Sequence, residues 1–429
     1  MKLRIDNARL LDPSTEQDIT ASLCVEGNRI VAFGKVPDDF KADEAIDASG
    51  LWLMPGLVDL QVRTGEPGDN ACGTVASEAR AAAAGGVTTF CVPPDTWPVA
   101  DTPAVPELIR RRARQAGQAF VLPIAALTQG LEGERLAPLH ALKNAGCIAA
   151  SQANRPIRNA LTLRNAMEYA ASHNVRLMLK PLDVDLADSG VAHDGPVANR
   201  LGLPAIPASA ETTAVATLLL LAEETGAKIH LNALSCARSV ELVRDAKARG
   251  LAVTCDVAAH QLHLSEMDLM DFNPLFKVLP PLRSLDDQRA LRAGLADGTI
   301  DCIISDHTPL YADDKLLPFP QSKPGISGLE TLLSLTLRLV ESGELTLMQA
   351  LKALSRNPAQ LLGIDGGSLQ PGSRASFFLY DPDARWTLRA DALLSAGKNT
   401  PFEGWEFSGR VVGTWFLGKN VFKPASQDA

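Results

Sequence analysis

VTTFCVP (87–93) lies between TVASEARAAAAGG (74–86) and VPELIRRRARQAG (105–117). A nearly continuous apolar run of seven residues, flanked on each side by a helical pattern, is what a parallel strand covered on both faces requires. Working outward, the same unit recurs. Upstream stands LMPGLVDLQV (53–62). Downstream come AFVLPIAAL (119–127), GCIAASQ (146–152), VRLMLKP (175–181), KIHLNAL (228–234), AVTCDVAA (252–259) and DCIISDH (301–307). That makes eight runs. Further amphipathic segments at 211–226, 285–298, 328–343 and 347–358 supply helices between and after them. Eight strand–helix units predict an α/β protein built on a (β/α)8 TIM-type barrel spanning 53–362.

The flanks have another texture. MKLRIDNARLLD and ITASLCVEGNRIVAFG before the barrel, and SRASFFLYDPD, GRVVGTWFLG and KNVF after it, read as short strands separated by turns. Residues 1–52 and 363–425 are therefore expected to join as a small composite β-sandwich, with 426–429 as a tail.

Composition narrows the class. Across 429 residues, 46% hydrophobic and 21% charged, 41 basic side chains face 50 acidic ones, a formal net charge of −9. That balance disfavours nucleic acid as a partner. No apolar run approaches the ~18–20 residues of a membrane span, and MKLRIDNARL has no apolar stretch long enough to direct export. Seven scattered Cys without a C-x-x-C pair predict reduced thiols and a cytoplasmic location.

A barrel of this kind carries its chemistry at the C-terminal ends of its strands. The first of these ends, PGLVDLQVRTGEPG (55–68), resembles the dihydroorotase signature PGLVDLHVHLREPG of the amidohydrolase superfamily, with its reactive positions exchanged. The resemblance continues collinearly through GVTTFCVPPDTWPVAD (86–101), GCIAASQANRPI (146–157), RLGLPAIPASAE (200–211), NPLFKVLPPLR (273–283), DGTIDCIISDHTPL (297–310) and PGISGLETLLSL (324–335). It implies a metal-dependent hydrolase barrel beside a composite β-domain, in agreement with the element order.

Active members of that family hold zinc with imidazoles and carboxylates, so that the metal activates water. Carried over position by position, the ligands are missing here. The two His of strand one become Gln61 and Arg63. The acidic ligand of strand four falls in Ser151-Gln152-Ala153-Asn154. The His of strand five falls at or beside Lys180. The second His of strand six is Ala233, while His230 keeps the first. Asp306 alone survives, at strand eight. At ~4 Å and an effective dielectric of ~20, each fixed cation would repel a divalent metal by roughly 8 kcal/mol. No metal or cofactor is expected.

The groups that grip substrate in the family are replaced as well: Gly65 for an arginine, Pro94 and Leu279 for asparagines, Leu310 for a histidine. Lys277 and Arg283 remain. Asp306 then reads as a buried carboxylate paired with Arg63 or Lys180, filling the space left by metals. His307 reads as a packing or backbone-bonding imidazole, pointing away from its neighbour. His260 and His263 have a zinc-compatible spacing but no adjoining Cys or acid cluster. Cys91 and Cys255 read as core residues. RRRARQ (110–115) is a basic helix face, solvated or meeting an acidic partner.

The resemblance points to the family's non-catalytic members, which associate with the catalytic chain of aspartate carbamoyltransferase in bacterial pyrimidine synthesis. A pseudoenzyme subunit is thus expected, with loops 64–76 and 309–326 as candidate contact surfaces and self-association left open. The alternative from another class is a divergent cyclic amidohydrolase using Asp306 or a relocated metal. A weaker third is a sensor holding a pyrimidine intermediate in the old pocket.

Overall fold

The computed structural model describes residues 1–424; the tail expected at 426–429 lies outside the described residues. All eight apolar runs form parallel barrel strands, short because each is bounded by a turn soon after its buried residues. Strand one is Leu57–Asp59, two Val87–Val92, three Phe120–Pro123 continuing as Ala125–Ala126, and four Ala150–Ser151. Strand five is Leu177–Leu179, six Ile229–Leu231, seven Val253–Ala258 and eight Cys302–Ile304. Strand three hands over between its neighbours at Ile124. The Ile124 N–H donates to Val92 O, and the Ala125 N–H to Ala149 O, both at 2.9 Å. The barrel closes between strands eight and one, where Val62 bridges His307 in parallel and the Arg63 N–H donates to His307 O at 2.9 Å.

Helices cover the outside. Val75–Ala84 starts in a capping box, Thr74 with Ser77, and Leu285–Ala296 in another, Ser284 with Asp287; reciprocal caps satisfy N–H groups that a helix start leaves open. The expected helices at 105–117, 211–226, 328–343 and 347–358 are present, the last with a π-helical turn at Lys352–Arg356. One apolar cluster joins barrel strands to helix faces, through residues such as Phe90, Val215, Leu231, Val257 and Leu332.

The terminal segments form a single hydrogen-bonded sheet of eight strands. The N-terminal strand Lys2–Asp12 pairs with Gln17–Glu26 on one side and with Trp52–Pro55 on the other. Trp52–Pro55 in turn pairs antiparallel with Phe377–Thr387 from the far end of the chain. Leu3, Leu23, Ile30 and Leu53 from one end share a core with Phe377, Leu379 and Trp415 from the other, so the sheet curls around its own apolar interior. This moves the boundary read from the sequence at 52/53. Residues 53–55 belong to the terminal sheet, and the barrel begins at Leu57. Both halves of LMPGLVD are buried, so hydropathy cannot mark where one sheet hands the chain to the next. Gly56 is the hinge; a Cβ there would stand 2.0 Å from Thr88 Oγ1. All seven cysteines are buried free thiols, and no described helix is long and apolar enough to cross a membrane.

Candidate functional site

The C-terminal ends of strands one, two, five and eight meet at the barrel mouth. Gln61 Nε2 donates to Asp306 Oδ1 at 2.6 Å. Arg63 reaches across the same space. Its Nε and Nη2 donate to Asp95 Oδ2 at 3.1 and 2.9 Å, and its Nη1 lies 3.3 Å from Thr308 Oγ1 and 3.6 Å from Asp306 Oδ1. Burial opposes the charge on Arg63, but Asp95 and Asp306 hold its pKa above the ordinary arginine value. Of the two pairings expected for Asp306, the one with Arg63 forms. Lys180 instead donates its Nζ to the Leu279 carbonyl at 2.6 Å, and burial presses its pKa down. The main partner of Arg63, Asp95, was not singled out in the sequence. Its signal was there, a carboxylate beside Pro94 at the end of strand two.

Two expected histidine roles need correction or detail. The backbone-bonding role expected of His307 is there, and a buried carboxylate is added to it. Its Nε2–H donates to Glu78 Oε2 at 2.9 Å, while Nδ1 accepts the Gly328 N–H at 3.1 Å, which fixes the tautomer. Burial works to raise the Glu78 pKa, but His307, Ser395 and Ser77 together hold it below the ordinary value. His230 has Nε2 2.8 Å from Asp256 Oδ2 and Nδ1 2.8 Å from Thr254 Oγ1, so both nitrogens are taken up between strands six and seven. His263 bonds the Leu335 carbonyl at 2.8 Å. His260 is different: it is buried, its Nε2 has no partner among the described residues, and burial lowers its pKa to about 4.

The other positions expected on the substrate side are built into the surrounding loops. A Cβ on Gly65 would stand 2.5 Å from Asp69 O and 2.8 Å from Gly73 O, so no arginine fits without rebuilding the loop. The Pro94 carbonyl accepts the Ala100 N–H, and the Leu310 N–H donates to Asn399 Oδ1. Lys277 donates to the carbonyls of Pro320 and Ser322, and Arg283 to Ile206 O and Ser235 Oγ; both retained cations hold loops together. Ala153, Ala233 and Asp306 have φ of 50°, 54° and 47°. L-residues enter that left-handed region at a cost of about 1–2 kcal/mol. The loops 64–76 and 309–326 meet over the mouth, where the Tyr311 hydroxyl bonds Asp69. In RRRARQ, Arg112 pairs with Glu66 at 2.9 Å and Arg110 donates to Ala145 O.

What is left between these groups is a hollow of about 40 Å³ lined by Arg63, Asn154, Lys180, His260, Leu279 and Asp306. Pockets that enclose small-molecule ligands run to roughly 300–1,000 Å³. A zinc site does not fit either. The one carboxylate carried over is bonded to an amide and faces a guanidinium, and His230 is turned onto Asp256. Among the described residues no group of three or more His, Cys, Asp or Glu is placed to hold a metal.

Comparison with known proteins assigns the family. The dihydro-orotase-like profile matches residues 50–239 and the amidohydrolase profile 227–422. A dihydroorotase-like protein of Pseudomonas aeruginosa is 46% identical over 96% of this chain and 97% of its own length. The chain belongs to the dihydroorotase-like amidohydrolase family. A dihydroorotase of Geobacter metallireducens is 41% identical over 99% of this chain and all of its own. Among solved structures, an L-hydantoinase (dihydropyrimidinase) from Arthrobacter aurescens superposes with a TM-score of 0.87. It covers 98% of this chain and 96% of its own at 24% identity, which supports the amidohydrolase barrel and nothing finer.

Proposed function

We propose that this chain is a catalytically inactive dihydroorotase homologue, retained as a structural subunit that assembles or stabilises aspartate carbamoyltransferase in pyrimidine synthesis. One observation carries the loss of catalysis: the guanidinium of Arg63, clamped by Asp95 and facing Asp306 at 3.6 Å, lies among the positions the family uses for metal. A cation fixed there removes the Lewis acid, and with it the means of making a nucleophile from water at neutral pH. The hollow is also too small for a cyclic substrate, and Gly65 leaves no room for the lost arginine. A full-length barrel kept without that chemistry fits selection for a surface.

The test has two parts. Purified protein is expected to contain no stoichiometric zinc by elemental analysis after growth in zinc-supplemented medium, and to leave dihydroorotate and carbamoyl aspartate unchanged. Co-expressed with the transferase chain, it is expected to elute with it as one complex on gel filtration. Two separate peaks would refute the subunit role. Turnover of a dihydropyrimidine or hydantoin, abolished by Asp306→Ala, would refute the inactivity and establish the divergent enzyme instead.

A further inference from the structure

Where the barrel helices meet the terminal sheet there is a cavity of about 720 Å³, which shares no lining residue with the hollow at the mouth. It lies between the helices Val75–Ala84 and Leu332–Glu341 on one side and the strands Phe377–Thr387, Glu406–Phe416 and Lys419–Phe422 on the other. Its volume is in the range of sites that enclose small molecules, and seams between packed units are where such sites occur. Its charge is unlike that of the chain. On a protein with a formal net charge of −9, the lining carries Arg80, Arg385, Arg389, Arg410 and Lys423 against one carboxylate, Glu330. Both Glu330 oxygens are taken by the backbone N–H groups of Leu394 and Ser395. Arg389 is paired with Asp391 at 3.4 Å. Arg80, Arg385, Arg410 and Lys423 are exposed and form no ion pair within 4.0 Å among the described residues. A concavity lined by one sign of charge focuses the field and draws in the opposite sign.

Beneath the cations the surface is apolar. Tyr380, Leu388, Leu393 and Val411 are buried there, and the rings of Trp386 and Phe422 are half-buried. The indole is held by its N–H bond to the Gly409 carbonyl at 2.9 Å, with Arg410 5.7 Å from its centroid. The other polar lining groups, Gln118, Ser334 and Thr387, are uncharged. We propose that this cavity binds a small molecule made of an aromatic ring and two or more linked phosphate groups, the ring beside Trp386 and Phe422 and the phosphates among Arg80, Arg385, Arg410 and Lys423. Guanidinium forks match phosphate oxygens, and a lone carboxylate would leave most of these cations unanswered. A bare polyanion would answer the rim and leave the apolar surface in water. The proposal goes beyond the subunit role and does not rest on it.

Adenosine diphosphate, inorganic pyrophosphate and adenosine separate the two halves of such a ligand, and calorimetry on the full-length protein in magnesium-free buffer measures each. The diphosphate is expected to bind saturably with a dissociation constant below about 1 mM. It is expected to bind at least about fivefold more tightly than pyrophosphate, the ratio that one stacked ring supplies, and adenosine more weakly than either. Arg385→Gln and Arg410→Gln are each expected to weaken the diphosphate and pyrophosphate by about tenfold, as the loss of one charged hydrogen bond does. Arg289→Gln, an exposed arginine on the helix Leu285–Ala296, is expected to change neither. Phe422→Ala is expected to bring the diphosphate down to the level of pyrophosphate. Equal affinity for the two, or binding indifferent to both arginine variants, would overturn the proposal. So would tighter binding of an oligoglutamate, which would make the cavity a protein-facing surface. Binding that emerges only when residues 425–429 are removed would assign the cavity to the chain's own end and overturn it likewise. If Phe422→Ala does not fold, the arginine variants and the ratio of diphosphate to pyrophosphate in the unaltered protein still decide it.

Discussion

Two buried polar regions lie within a few residues of each other at the end of strand eight, and they have been treated differently. Around His307 both imidazole nitrogens and both Glu78 oxygens are answered. Glu78 accepts from His307, from Ser77 Oγ and from the Ala396 N–H, and Gly328 completes the imidazole. This knot ties a barrel strand to the helix Val75–Ala84 and to the segment leading back into the terminal sheet. Around Asp306, one residue earlier, the hollow keeps loose ends. His260 Nε2 and Asn154 Oδ1 are buried without partners among the described residues, and Ala153, Ala233 and Asp306 have left-handed φ. A region that holds the fold together is under selection for complete hydrogen bonding. A region under no such structural demand is left with whatever its side chains provide.

That contrast can be broken or sharpened by measurement. Truncating the knot is expected to have the largest effect. Glu78→Ala strips His307 and two further donors of their partner, and is expected to destabilise the protein by about 3–5 kcal/mol in urea titrations. If the loss is under about 1 kcal/mol, the two regions are not different in kind. The next effect is pH-dependent and belongs to the hollow. The His260 pKa is depressed in the folded state to about 4 from an ordinary 6.5. The unfolded chain therefore binds the proton first, and stability is kept above pH 6.5 and lost as the pH falls toward 4. His260→Leu is expected to remove from that decline a share on the order of 3 kcal/mol, read as the difference in urea midpoint between pH 7 and pH 4.5 for variant and parent. An unchanged slope would mean the orphaned imidazole is solvated. The smallest effect concerns backbone. Ala153→Gly and Ala233→Gly relieve left-handed strain at the price of a more flexible unfolded chain. Each is expected to stabilise by at most about 1 kcal/mol, seen as a small rise in thermal midpoint, whereas glycine at an ordinary helical position such as Ala246 lowers it.

The hollow also shows how far residue types alone lead. An alanine or a guanidinium is no zinc donor in any geometry, so the residue types at 63, 153 and 233 speak for themselves. They do not say what fills the gap. The ion pair expected for Asp306 allowed two cations; closure of the barrel brings Arg63 to it and sends Lys180 to a carbonyl of the loop before Pro280. Asp95 escaped notice because a lone carboxylate in a proline-rich turn has many readings until strand two is set beside strand one. The carboxylate partner of His307 was illegible for a similar reason, since Glu78 is 229 residues away along the chain.

Burial on both faces is a property of each apolar run by itself, so eight such runs spaced by helices were sufficient for a barrel. Which groups touch across the mouth, where residues 53–59 leave one sheet for another, and which polar atoms stay unanswered were settled only when the strands closed. Those contacts join segments distant in sequence, and their distances follow from the ring of strands as a whole rather than from any one of them.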